Sequence, residues 1–192
     1  CNDEFIFYEH SRNKKIWKYG PYKKNFYLNL LKNGSCISTS ASIVERSFLN
    51  NHNIFFNENK NFVTAEDYDF FLNIARHKGK FKFFHHVLGS HLFHSKSYSK
   101  NFELHTNAIL GVANNHIKSN IKEACIQKKL LRKVQLDYLL RSFVQHIKER
   151  RYLKIFNILI KITILNPLYL PKIINIRFRK KFNLFNYYKD DS

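Results

Sequence analysis

Apolar and polar positions fall into short runs over the first hundred residues and into helical spacing thereafter. Phe5, Ile6, Phe7 and Tyr8 predict a short buried strand, and residues 9–15 a polar, turn-rich run, with a turn at Gly20-Pro21. Residues 26–31 read as a short helix closed by Asn33-Gly34, a left-handed C-cap signal. The small and β-branched run at 35–44 predicts a strand, residues 46–50 one helical turn, and residues 50–53 a loop. The next helix has Thr64 as N-cap, with Asp67 where a capping box places a reaching acid. Tyr68, Phe71, Leu72 and Ala75 then share a face, Arg76 and Lys78 occupy the last turn, and Gly79 stops the helix. Phe81 and Phe83 alternate with Lys80 and Lys82, which predicts a half-buried strand running towards Val87-Leu88.

Beyond residue 100 the pattern is helical. Residues 102–117 predict a helix weakly interrupted by Asn114-Asn115-His116. Ser119 reads as the N-cap of a long helix carrying Ile121, Cys125, Leu130, Leu131, Val134, Tyr138, Leu139, Phe143, Val144 and Ile147 on a packing stripe. Residues 152–165 are apolar except for Lys154, Asn157, Lys161 and Thr163, and Asn166-Pro167 ends the run. That length falls short of the roughly 20 residues that span a bilayer. Pro171 opens a final basic segment at 172–182. The expected organisation is one domain over 1–117 and a helical, basic tail over 118–192.

Composition adds three points. With 192 residues, 44% of them hydrophobic and 16% aromatic, the chain can bury a core and is not disordered. It contains no methionine, even at position 1, so the expectation is a fragment lacking an N-terminal part. Cys1, Cys36 and Cys125 are odd in number and far apart, which supports neither a disulfide framework nor a zinc knuckle and fits a reducing compartment.

Charge points to partners. Lys and Arg number 33 against 14 acids, and residues 128–181 hold fifteen Lys or Arg against Asp137 and Glu149 alone. Nucleic acid and anionic lipid both answer to such a field. Here the charges flank apolar helices, without stacking aromatics or a recognised helical motif, so the pattern favours an anionic membrane surface over nucleic acid. An ordinary solvated face over a helical packing layer has the same composition.

Candidate chemistry centres on Glu66-Asp67-Tyr68-Asp69, where three of the fourteen acids fall within four positions at a helix start. The positive end of the helix dipole favours negative charge there. On helix grounds alone these acids need be no more than capping. His85, His86, His91 and His94 crowd one end of the following strand, a pattern that without matched carboxylates reads first as polar surface.

In order, residues 38–46, Phe56-Asn57-Glu58, Glu66-Asp67-Tyr68-Asp69, Leu88, His94, Ser97 and Ser99 resemble the C-terminal half of a family-two glycosyltransferase with the GT-A fold. In that family a small-residue strand ending in Arg is followed by F-x-E, by E-D-Y-D on a helix, and by L-x-x-Y-R-x-H-x-x-S-x-S. The resemblance covers about residues 1–100 and implies an α/β chain: the acceptor-side half of a Rossmann-like GT-A domain, followed by an α-helical basic tail. It implies inverting transfer of a sugar from a nucleotide-sugar donor to a hydroxyl of a glycan or lipid-linked acceptor, in surface polysaccharide biosynthesis. Asp67 would be the general base, Glu66 and Asp69 would bind the acceptor, and His94 would approach the donor diphosphate or its divalent metal, Mg or Mn.

Departures accompany the likeness. The family's Tyr-Arg pair is His91-Leu92 here, no Gly-Gly precedes Phe56, and neither the donor-binding N-terminal half nor its D-x-D metal motif is seen. This chain alone is therefore expected to bind no cation strongly and to be inactive. The expected location is cytoplasmic, peripheral at the inner face of the cell membrane. The alternatives are a non-enzymatic, basic nucleic-acid-binding module and an inactive remnant.

Overall fold

The structure, a computed structural model, describes residues 1–9, 11–93 and 101–169. Its described part is mixed α/β, with one three-stranded mixed sheet and six α-helices. The chain divides into two compact units, Cys1–Lys122 and Glu123–Ser192.

In the first unit the sheet order is β2-β1-β3, built from β1 (Asn2–Tyr8), β2 (Ser11–Trp17) and β3 (Phe84–Phe93). β1 pairs antiparallel with β2 and parallel with β3. A parallel pair needs a long crossover, and the segment between β2 and β3 supplies it with α1 (Phe26–Asn33), α2 (Arg46–Asn51) and α3 (Glu66–Arg76). α4 (Phe102–Asn120) follows β3. Leu30 and Leu31 of α1, Phe71 and Leu72 of α3, Val112 and Ile117 of α4 and Ile6 of β1 are almost wholly buried, and the Tyr68 hydroxyl donates to the Leu30 carbonyl at 2.9 Å.

Several elements differ from the sequence expectation, each for a local reason. The polar run expected as a turn contains β2, which is an edge strand pairing only with β1 and so has no need of an apolar pattern. The run at 35–44 is not a strand, because its hydroxyls serve the backbone and one another. The Ser42 hydroxyl donates to the Ser38 carbonyl at 2.6 Å, and the Ser38 and Ser40 hydroxyls share a bond of 2.9 Å. β3 begins only at Phe84, since Phe81 and Phe83 pack instead on Phe26 with ring centroids 4.6 and 6.1 Å apart. Gly20, at φ 89°, makes room for this cluster; a Cβ there would stand 2.7 Å from the Phe83 ring. α4 runs unbroken through Asn114-Asn115-His116 and past Ser119 to Asn120.

The second unit is a helical hairpin of α5 (Ala124–Lys148) and α6 (Tyr152–Leu165). Arg150, at φ 56°, turns the chain between them, with Arg150 N–H on the Ile147 carbonyl and Arg151 N–H on the His146 carbonyl. Leu136, Leu139 and Phe143 of α5 bury against Ile158 and Ile162 of α6. No helix among the described residues is long and apolar enough to cross a membrane.

Candidate functional site

The start of α3 is shaped by the residue before its cap. Thr64 stands at φ 79°, a left-handed backbone that a β-branched side chain rarely adopts. It is held there from α4, where His105 Nδ1 donates to the Thr64 carbonyl at 2.9 Å and lies 3.3 Å from its hydroxyl. With that hydroxyl turned towards His105, the expected capping box does not form. The N-cap is Ala65, which offers no side-chain bond. Asp67 instead satisfies one of the helix's open donors from within, its Oδ1 accepting the Tyr68 N–H at 2.7 Å.

Asp67 is half-buried, and desolvation raises its carboxyl pKa above the usual carboxylate range. The Tyr68 amide draws it down, the neighbouring Glu66 charge pushes it up, and His105 draws it down again. Glu66 is half-buried too, and its Oε2 is buried with no hydrogen-bond partner among the described residues. A buried carboxylate oxygen left in this state is costly. Two adjacent acids at a helix N-terminus thus have different occupations: one has a tuned carboxyl, the other an oxygen awaiting a donor.

Asp69, two residues on, faces inward and is almost wholly buried. His116 Nε2 lies 2.9 Å from its Oδ1, and the side-chain amides of Asn73 and Asn57 lie 3.2 and 3.4 Å from its Oδ2. On the far side of the imidazole, the Tyr27 hydroxyl meets His116 Nδ1 at 3.2 Å. The same hydroxyl donates to the His116 carbonyl at 3.3 Å. Burial pushes the Tyr27 phenol up to about 12, so it stays a donor. Arg76 extends the seam by donating to the Asn120 side chain at 2.8 Å. Asp69, expected at the acceptor, has both oxygens engaged by the protein and ties α3 to α4.

Sequence reasoning did not single out His105, His116, Tyr27 or Asn57. The available signal was the spacing of the two histidines, eleven residues or about three turns apart and so on one face of α4. A second buried acidic pair also escaped it. Two register shifts in the pairing of β1 with β3 interrupt the usual alternation, and Asp3 and Glu4 are both buried. Their four oxygens are engaged: Asp3 accepts the Tyr19 N–H at 3.0 Å and pairs with His85 at 3.4 Å, while Glu4 accepts the hydroxyls of Tyr19 and Ser40, each at 2.8 Å. This cluster fastens the serine loop and the Tyr19 segment to the central strand.

His94, the expected donor-proximal and metal-proximal residue, lies outside the described residues, as do Ser97 and Ser99. Among the described residues no group of three or more His, Cys, Asp or Glu is arranged to hold a metal ion, so the divalent cation implied by the resemblance finds no fitting ligands there. Cys1, Cys36 and Cys125 are free, and burial pushes the Cys36 thiol up to about 11, which leaves it unreactive. Comparison with protein-family models, with curated proteins and with solved structures finds no match.

Proposed function

We propose that the chain is the acceptor-side part of an inverting glycosyltransferase, similar to family two and with the C-terminal half of a GT-A fold. The observation that carries the reading is the first turn of α3, where Asp67 and Glu66 stand together, half-buried, and Asp69 is tied away from them. A general base works best with a pKa drawn towards the operating pH. Burial moves Asp67 in that direction, while the Tyr68 amide keeps its carboxylate oriented. In the proposed step Asp67 takes the proton of an acceptor hydroxyl, whose oxygen attacks the anomeric carbon of the donor. The bond from that carbon to the diphosphate oxygen breaks, and the nucleoside diphosphate leaves. Glu66 Oε2, without a partner, is suited to accept a second hydroxyl of the same sugar and so orient the first. An enzyme acting on lipid-linked or surface glycans belongs at the cytoplasmic face of the cell membrane, held there peripherally.

The test is Asp67→Asn in the full-length protein carrying a donor-binding half. Loss of a general base lowers transfer about a hundredfold to ten-thousandfold. Donor binding and the circular dichroism spectrum are expected to stay unchanged. Wild-type turnover in this variant would sink the assignment.

A further inference from the structure

The apolar surface of α6 has two faces, and only one is used within the described hairpin. Ile155, Ile158, Leu159 and Ile162 pack on α5. Leu153, Phe156, Ile160 and Ile164, spaced three and four residues apart, form a separate outer ridge. They are exposed by 84, 63, 43 and 77%, and Leu168 just beyond the helix by 80%. Exposed Lys154, Asn157 and Lys161 flank this ridge along one side. Single exposed apolar residues need no explanation, but a contiguous ridge of this kind marks an interaction surface.

Charge on the same hairpin identifies the partner. α5 has 25 residues and α6 has 14, so the N-terminal part of α5 overhangs its partner. Along that overhang Leu130 and Val134 are buried, and basic side chains stand between them and the helix start. Lys128, Lys129, Arg132 and Lys133 line a cleft of about 440 Å³ together with Asn166 at the end of α6. Lys133 is paired with Asp137 at 2.6 Å. Lys128, Lys129 and Arg132 have no acidic partner among the described residues.

We infer that the α5–α6 hairpin docks on an anionic phospholipid surface, the outer ridge of α6 entering the headgroup boundary while the α5 overhang takes lipid phosphate groups. A bilayer presents apolar chains and phosphates within a few ångströms of each other, matching an apolar ridge with cations beside and beyond it. At about 1.5 Å per residue α6 is roughly 21 Å long, so it lies along the boundary rather than across the roughly 30 Å hydrocarbon core. A nucleic acid would answer to the cations, and could stack on Phe156, but would leave Leu153, Ile160 and Ile164 of the ridge in water. The inference takes up the peripheral location proposed above and is independent of sugar transfer.

Flotation of the 192-residue chain with vesicles reads docking without activity. Binding is expected to phosphatidylcholine vesicles containing phosphatidylglycerol, and to be weakened but not abolished by high salt. Phe156→Glu with Ile160→Glu places two acids on an exposed face, which leaves the fold intact by circular dichroism, and is expected to weaken binding at least about tenfold. Changing Lys128, Lys129 and Arg132 to Gln is expected to reduce the preference for phosphatidylglycerol about tenfold or more while leaving residual binding to both vesicle types. Equal wild-type binding to neutral and anionic vesicles would overturn the inference. So would undiminished binding by the ridge variant. Failure to float, whether with soluble glycerophosphate binding the cleft, with a dimer broken by the ridge variant, or with ridge changes that lower the melting temperature because residues 170–192 cover the ridge, would likewise overturn it.

Discussion

Asp67 is held at a cost to the fold, and that cost has a sign. Its folded pKa lies above the unfolded value of 3.8, so the folded state favours the protonated carboxyl. Stability from this group is complete below the unfolded pKa and is lost as pH rises through the folded one. Asparagine keeps an oxygen for the Tyr68 N–H and carries no charge to desolvate. Asp67→Asn is therefore expected to be as stable as the parent, or more so, at pH 7, with the difference shrinking to nothing as the pH falls to about 3.8. Urea titrations of both proteins across that range check it, and a clear loss of stability at neutral pH would show the carboxylate to be structurally favourable. With the role proposed for Asp67, a lower stability would be the trade-off of functional sites. The acidic cluster was legible in the sequence, but the fates of its members were not. Helical phase places Asp67 and Asp69 about 200° apart. Which side faces protein depended on His116, 47 residues further along the chain than Asp69.

At the scale of elements, the end of α3 separates what a sequence signal says from how it is realised. Gly79 marks the stop, but the left-handed residue is Lys78, at φ 61°. Its N–H bonds the Ala75 carbonyl at 3.1 Å, and that of Gly79 bonds the Ile74 carbonyl at 3.0 Å, which together close the helix in a Schellman motif. Gly79 is needed for space, since a Cβ there would come within 2.5 Å of Ile74 Cγ2. Two opposite effects follow. Lys78→Gly relieves a left-handed L-residue and is expected to stabilise by about 1 kcal/mol or less, whereas Gly79→Ala overpacks the turn and costs about 1–3 kcal/mol. Thermal melts of the pair give the comparison, and equal effects would mean that the turn relaxes as a unit. Periodicity read α1, α3 and α6 closely because their apolar faces meet cores. It misread β2 and the 35–44 run, where edge position and hydroxyl bonding decide the conformation. The Thr64 cap failed for a related reason, because its hydroxyl is turned towards His105, 41 residues further along the chain, a competitor that no local pattern contains.

At the scale of the molecule, the described chemistry is one-sided for a sugar transfer. In the proposed reading Asp67 and Glu66 bind and deprotonate a hydroxyl, but the described residues hold no metal-ligand group and only a three-stranded sheet, β2-β1-β3. A nucleoside diphosphate needs several cations or oriented amides to offset its charge. The basic cluster on α5 lines a cleft that has no aromatic side chain in its lining to stack a base. The 192-residue chain is thus expected to bind no nucleotide sugar at micromolar concentration, with or without Mn²⁺. Calorimetric titration with uridine, guanosine and cytidine diphosphate or monophosphate sugars, run in parallel on the chain and on its Lys128, Lys129 and Arg132 to Gln variant, makes the expectation specific. Weak heats lost in that variant would be phosphate attraction to the hairpin. A saturable micromolar signal that survives in the variant would place a complete donor pocket in the first unit, and the half-site reading of α3 would have to be given up.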